Sequence, residues 1–295
     1  MSSPSSQPTS SLLKQFKQNH KCRPFLKWAG GKFRLTEQIN ACFPKGKSCL
    51  IEPFVGAGSV FLNSQFERYI LVDINADLIN LFNLVKQDVE TYISASRQIF
   101  FHPEANQATY YYAQRARFNA SQDPFERSIL FLYLNRFGFN GLCRYNSRYE
   151  FNVPFGRHKI HYFPEAELYF FAEKAQRAEF ICGDFQKAFQ LADKDSVIYC
   201  DPPYAPLLQQ TNFTRYSGND FSEENQIGLA TLARITAQER NIPVVISNHD
   251  TPFTRKIYKG AKLKKLQVNR FISQHKEKRV QVSELLAIFN QFSSC

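Results

Sequence analysis

The sequence has no paired cysteines. Its seven, Cys22, Cys42, Cys49, Cys143, Cys182, Cys200 and Cys295, are scattered, several of them inside apolar segments. No C-x-x-C occurs and no Cys/His cluster has ligand spacing, which argues against structural zinc. An odd number of thiols in a chain of 295 residues fits a reducing compartment. No apolar run is long enough to span a bilayer, and the N-terminus lacks an apolar signal core. Residues 1–11 are rich in Ser, Pro, Thr and Gln, and a disordered tail is expected over 1–20. There is no internal repeat. These absences leave a soluble, cytoplasmic protein with no membrane contact, expected to be a monomer and to hold no metal.

Acidic residues are also short. The 26 Asp and Glu face 37 Lys and Arg, a net charge of +11, which fits a polyanionic partner such as nucleic acid. What is plentiful is aromatic surface, 15% of the chain, mostly Phe and Tyr, and an apolar fraction of 43% that supports a proper core.

The most informative residues are Asp201-Pro202-Pro203-Tyr204. They follow the apolar run Ser196-Val197-Ile198-Tyr199-Cys200, which predicts a buried strand. Ligands of open α/β sheets bind at the carboxyl ends of strands. Pro203 confines Pro202 to extended conformations, so the carbonyls there point in fixed directions. Asp201 can accept one N–H of a planar amino group, the Pro202 carbonyl can accept the other, and Tyr204 can stack on the ring. A tight proline turn that merely ends a strand is the other reading.

Upstream, strands are expected at 49–53 and 69–73, with helices over 35–41 and from Asp77 onward. This alternation predicts an α/β fold. From 89 to about 163 the chain turns aromatic, Arg-rich and Asn-rich, with a helix predicted over 124–133 and a hairpin arm around 151–155. The alternation then resumes: a helix over 164–177, strands at 180–182 and 196–200, a helix over 222–239, and strands at 244–247, 262–268 and 285–289.

Phe54-Val55-Gly56-Ala57-Gly58 lies between a strand and a helix. Its glycines let a nucleotide approach the backbone, though the pattern is not the dinucleotide G-x-G-x-x-G. Asp73, ending the next strand, is placed for ribose hydroxyls; its alternative role as a helix cap suits Asp77 better. Asp184 can bind the amino edge of a cofactor adenine or cap a helix. A nucleoside cofactor beside a site for an exocyclic amine points to S-adenosylmethionine and N-methylation.

At this point the chain resembles the Dam-type DNA adenine methyltransferases. The matching blocks are Phe25-Leu26-Lys27-Trp28-Ala29-Gly30-Gly31-Lys32, Glu52 through Ser59, Asp73-Ile74-Asn75, Leu134 through Asn146, Glu150 through Gly156, Asp201 through Pro206, and Ser247-Asn248-His249-Asp250. The resemblance runs from about residue 23 to 289. It implies a Rossmann-like methyltransferase sheet with helices on both faces, plus a smaller, mainly helical target-recognition insertion with a β-hairpin. The expected division is 21–75 and 165–295 for the catalytic, S-adenosylmethionine-binding domain and 76–164 for DNA recognition.

The resemblance also implies roles. Trp28, Lys32, Asp73 and Asp201 would contact S-adenosylmethionine, with Phe54, Gly56 and Gly58 in the pocket wall. Asp201, Pro202, Pro203 and Tyr204 would hold an adenine flipped from double-stranded DNA for direct in-line methyl transfer. The target would be GATC, with Lys27, Leu142, Arg144, Pro154 and His158 near base edges and Phe139 and Asn140 at the gap left by the flipped base. Arg144 has the chemistry to read guanine and Leu142 to meet a thymine methyl. Arg136, Arg148, Arg157, Lys159 and the basic C-terminal residues Lys262, Lys264, Lys265, Lys276, Lys278 and Arg279 would neutralise phosphates. The chain departs from the family at His158, where Tyr is common, and in the loop 273–279, which lacks a Gly-rich form. An N-methylase acting on cytosine N4 or RNA, and a catalytically silent DNA-binding relative, remain alternatives.

Overall fold

A computed structural model gives the structure and describes residues 21–157, 162–205, 221–266 and 283–290. The tail 1–20, His158, Lys159, Pro206 and the loop 273–279 with Lys276, Lys278 and Arg279 lie outside the described residues. In chain order the elements begin with α1 (Thr36–Asn40), β1 (Cys49–Glu52), α2 (Ser59–Leu62) and β2 (Arg68–Asp73). Helices α3 (Ala76–Gln87), α4 (Val89–Phe100), α5 (Ala108–Ala120), α6 (Pro124–Phe137) and α7 (Glu165–Ala175) follow. Then come β3 (Ala178–Cys182), α8 (Phe185–Leu191), β4 (Ser196–Cys200), α9 (Glu223–Glu239), β5 (Val244–His249), α10 (Pro252–Ile257), β6 (Lys262–Leu266) and β7 (Glu284–Phe289).

The described residues form two compact units, one from 21–33, 56–63 and 76–178, the other from 34–55, 64–75 and 179–290. The second unit holds the expected α/β sheet, seven strands in the order β3-β2-β1-β4-β5-β7-β6. β1 runs parallel to β2 and β4, and β4 runs parallel to β5. β7 enters antiparallel between β5 and β6. Strands β1 and β4 are buried at every residue, as continuous apolar runs in a parallel sheet should be. Ile51, Ile198, Val244, Ile246 and Leu285 pack with Phe185, Phe189, Leu229, Ala233 and Tyr258 in one core. Because β2 and β3 lie to one side of β1 and β4 and β5 to the other, the chain reverses direction between β1 and β4, where α/β sheets open a crevice at the strand ends.

The first unit is helical around α6. Asp123 caps that helix by accepting the Phe125 N–H, and Pro124 fills the first turn, where its missing donor costs nothing. Leu130, Phe131, Leu132, Tyr133, Leu134, Asn135 and Phe137 are all buried, so the helix runs past the expected end at 133 and is surrounded by its neighbours. Phe25 meets Phe82 and Phe171 edge-on, tying the N-terminal segment to α3 and α7.

Two expectations need correction. Asp77 is not a cap: it lies in the first turn of α3, and its carboxylate takes both Arg127 Nε (2.8 Å) and Nη2 (2.9 Å). The arm around 151–155 folds back, but only as isolated bridges, Gly138 with Phe155 and Tyr145 with Phe151. The ladder is broken because Pro154 has no N–H to give and Asn140 interrupts the backbone with φ 54° inside the short turn Phe139–Gly141.

Candidate active site

Asp201 follows β4, and the register that sets Cys200 beside Ile246 brings it next to Ser247. The Ser247 hydroxyl donates to Asp201 Oδ1 at 2.7 Å. The Tyr199 hydroxyl lies 3.1 Å from Ser247 Oγ and can donate to it, so a chain of hydroxyls fixes the carboxylate's orientation. Burial and the Asp201 charge push the Tyr199 and Tyr204 phenols well above their usual range, so both remain neutral donors.

The rest of the loop is fastened from behind. Tyr204 donates its hydroxyl to Glu284 Oε2 (3.0 Å), and its ring meets His249 edge-on at 4.7 Å. The Pro203 carbonyl accepts from Gln226 Nε2 (2.7 Å). Asn248, fully buried, accepts the Ala205 N–H (3.0 Å) through Oδ1 and donates through Nδ2 to Gln226 (3.0 Å) and Tyr258 (2.9 Å). His249 Nδ1 lies 2.8 Å from the Ala205 carbonyl. A proline-stiffened loop held at this many points presents its carboxylate and ring with little freedom to lose on binding.

At the same end of the sheet, Asp73 closes β2 and accepts the Asn75 N–H at 3.0 Å. The Gly183 N–H donates to the Asp73 carbonyl (3.0 Å), bringing β3's end and Asp184 alongside. Asp184 does cap α8, accepting from Gln186 N at 2.9 Å. Phe54 stacks on Phe185 with centroids 5.7 Å apart, and Phe221 meets both rings edge-on. Two carboxylates, which accept hydrogen bonds, thus lie with an aromatic wall at adjacent strand ends.

In the helical unit, Trp28 and Gly31 close a turn through Gly31 N to Trp28 O (3.2 Å). Lys32, 3% exposed, holds its ammonium 2.7 Å from the Gly30 carbonyl. Gly56 has φ 49°, and a Cβ there would lie 2.9 Å from Trp28 Nε1, so only glycine lets the indole in. Gly58 precedes α2 in the left-handed region.

The described residues expected at the DNA bases share one unit. Lys27, Phe139, Asn140, Leu142, Arg144 and Pro154 all fall in the helical unit. Phe139, Asn140, Arg144 and Pro154 are exposed, and Phe139 N donates to Pro154 O at 2.8 Å. Arg144 Nε donates to Asn152 Oδ1 (2.7 Å), which extends the guanidinium along the arm. Arg136 differs from its expected role: it is half-buried and donates to the Phe25 (3.4 Å) and Tyr162 (2.9 Å) carbonyls. Sequence reasoning gave no task to Ser247, Asn248, Gln226, Glu284 or Asn135. Of these, Ser247-Asn248 and Asn135 carried a local signal, as parts of recognised blocks.

A family profile described as "D12 class N6 adenine-specific DNA methyltransferase" matches residues 28–272. The chain is 68% identical over 269 residues to the DNA adenine methylase of Haemophilus influenzae, covering 91% of this chain and 94% of that protein. It is 58% identical to the DNA adenine methylase of Escherichia coli (strain K12) and 56% to that of Vibrio cholerae, each over 91% of this chain and 96% of the relative.

Proposed function

The chain belongs to the D12 class of N6 adenine-specific DNA methyltransferases, and we propose how its own residues carry that activity on double-stranded DNA. The activity is S-adenosylmethionine-dependent methylation of adenine N6, and the target we assign is GATC. The sheet, with helices on both faces, is taken as the Rossmann-like catalytic part over 21–75 and 165–295. The stretch 76–164 reads the target and includes the hairpin-like arm. The enzyme works as a monomer on chromosomal DNA in the cytoplasm.

Adenine N6 sits inside the duplex, so the base must turn out before it can react. The carrying observation is the Asp201 carboxylate held by Ser247 within the stiff loop 201–205. The amine is a poor nucleophile because its lone pair is delocalised into the ring. Asp201 accepting one N–H and the Pro202 carbonyl the other draw the nitrogen toward tetrahedral geometry and localise that pair. Asp201 also stabilises the positive charge that develops on N6. Tyr204, braced by Glu284 and His249, supplies a fixed ring for stacking. Positioning of this kind can supply up to about 7–11 kcal/mol.

S-adenosylmethionine, when bound, supplies an electrophilic sulfonium methyl. Asp73 would take its ribose hydroxyls, Asp184 its adenine amino edge, Phe54 its ring face, and Trp28, Gly56, Gly58 and Lys32 the remainder. Lys27, Leu142, Arg144, Pro154 and His158 would meet base edges, with Phe139 and Asn140 at the vacated place in the stack.

The test uses labelled S-adenosylmethionine and duplexes with and without GATC. Label is expected in adenine of the GATC duplex alone, and Asp201→Ala is expected to abolish incorporation while gel-shift affinity for DNA survives. Incorporation into cytosine, or into a parallel RNA substrate, would support the alternative substrates, and a shift without label from the unmodified chain would mark a silent binder.

A further inference from the structure

We infer that Asn135 is a positioning residue for sequence reading, setting Lys27 and the turn Phe139–Gly141 in register with each other. The inference rests on the DNA-methylation reading above. Asn135 sits near the end of α6, fully buried. Its Oδ1 accepts the Lys27 N–H at 2.8 Å, and its Nδ2 donates to the Lys27 carbonyl at 2.8 Å. The same Nδ2 donates to the Gly141 carbonyl at 3.2 Å. A carboxamide carries the same donor and acceptor as a peptide group, so Asn135 pairs with Lys27 as a neighbouring strand would.

The close approach of the two segments confirms how tight that register is. Gly141 has φ 62°, and a Cβ on it would lie 2.2 Å from Lys27 Cβ. The Lys27 side chain therefore lies directly along the turn, and its ammonium donates to the Arg136 carbonyl at 3.1 Å. Burial, with Arg136 nearby, lowers the Lys27 pKa. Leu142 follows at once, its N–H donating to the Phe139 carbonyl at 3.1 Å. A helix interior prefers alanine or leucine over asparagine, so a buried Asn with all its bonds outside its own helix serves the segments it holds.

The test compares kcat/KM on a GATC duplex with kcat/KM on duplexes altered at one base pair. Asn135→Ser is expected to lower discrimination at the base pair read by Lys27 about tenfold, with KM for S-adenosylmethionine unchanged. Added to Lys27→Ala, it should lower discrimination at that pair no further, because both changes remove one contact. Gly141→Ala pushes on the same register from the Lys27 side while leaving the Asn135 side chain itself unchanged, and should show the same loss, which keeps the inference testable if Asn135→Ser folds poorly. A uniform fall on every duplex with discrimination retained, or additive losses in the double variant, would overturn it. Failure of the unmodified enzyme to label adenine in any duplex would count against the DNA-methylation reading, not against Asn135.

Discussion

Ser247 holds one oxygen of the Asp201 carboxylate. Its hydroxyl is the donor at 2.7 Å, and Tyr199 stands behind it, both buried, so nothing in solvent replaces the bond. Ser247→Ala removes a hydrogen bond to a charged group and leaves the Tyr199 hydroxyl without its acceptor there. The expected stability loss is about 2 kcal/mol, read from urea unfolding. Single-turnover methylation should slow about tenfold with KM for S-adenosylmethionine unchanged, since a carboxylate free to rotate loses its aim. An unchanged chemical step would show that the loop alone orients Asp201. At Gly56, alanine would meet both an unfavourable left-handed φ, about 1–2 kcal/mol, and the Trp28 indole at 2.9 Å. Gly56→Ala is therefore expected to weaken cofactor binding about tenfold or more in calorimetry, and an unaltered Kd would detach the Trp28–Gly56 contact from that site.

Among the elements, the arm that carries Arg144 is tied down through Tyr145. The Tyr145 hydroxyl donates to Asp77 Oδ2 at 2.7 Å, and its ring meets Phe151 edge-on at 5.7 Å. Asp77 in turn holds Arg127, whose guanidinium lies 4.2 Å from the Phe118 ring and donates to the Phe118 (2.8 Å) and Ser121 (3.0 Å) carbonyls. Tyr145→Phe should raise KM for DNA severalfold and leave cofactor affinity alone. Asp77→Ala strands a largely buried guanidinium and should cost about 3 kcal/mol of stability by circular dichroism. This network was not legible in the sequence, where Asp77 looked like a cap, because its partners are 50 and 68 residues away. The strands were legible, since short apolar runs bounded by turn residues need no partner to be seen. Helix α5 was not, because tyrosines at 110, 111 and 112 point to several faces and hide the period; α4 was missed although Asp88 caps it through Thr91 N and Tyr92, Ile93, Ser96 and Phe100 share its buried face. The same divide runs through the site. Asp201, Asp73 and the glycine turn announce themselves locally, whereas Gln226, Asn248 and Glu284 acquire their tasks only when α9, β5 and β7 pack together.

For the whole molecule, the surplus of +11 charges is not all available to DNA. Lys32, Lys174, Arg127 and Arg136 spend their donors on internal carbonyls or on Asp77. Exposed cations remain at Arg144, Arg148, Arg157, Lys262, Lys264 and Lys265. Counterion release makes the logarithm of DNA affinity fall linearly with the logarithm of salt, by about 0.9 per phosphate neutralised, so binding should weaken steeply between about 50 and 200 mM. Arg148 is 83% exposed in its side chain and only 3.9 Å-paired with Glu150, so it is free to swing to a phosphate. Arg148→Gln should then weaken binding to GATC and unrelated duplexes equally and lower the salt slope by about 1. Arg144→Ala should do the opposite, narrowing the gap between GATC and its single-base variants with little change in slope. Both are read by fluorescence anisotropy across a salt series. If the two variants exchanged behaviours, the base-reading task would pass from Arg144 to Arg148.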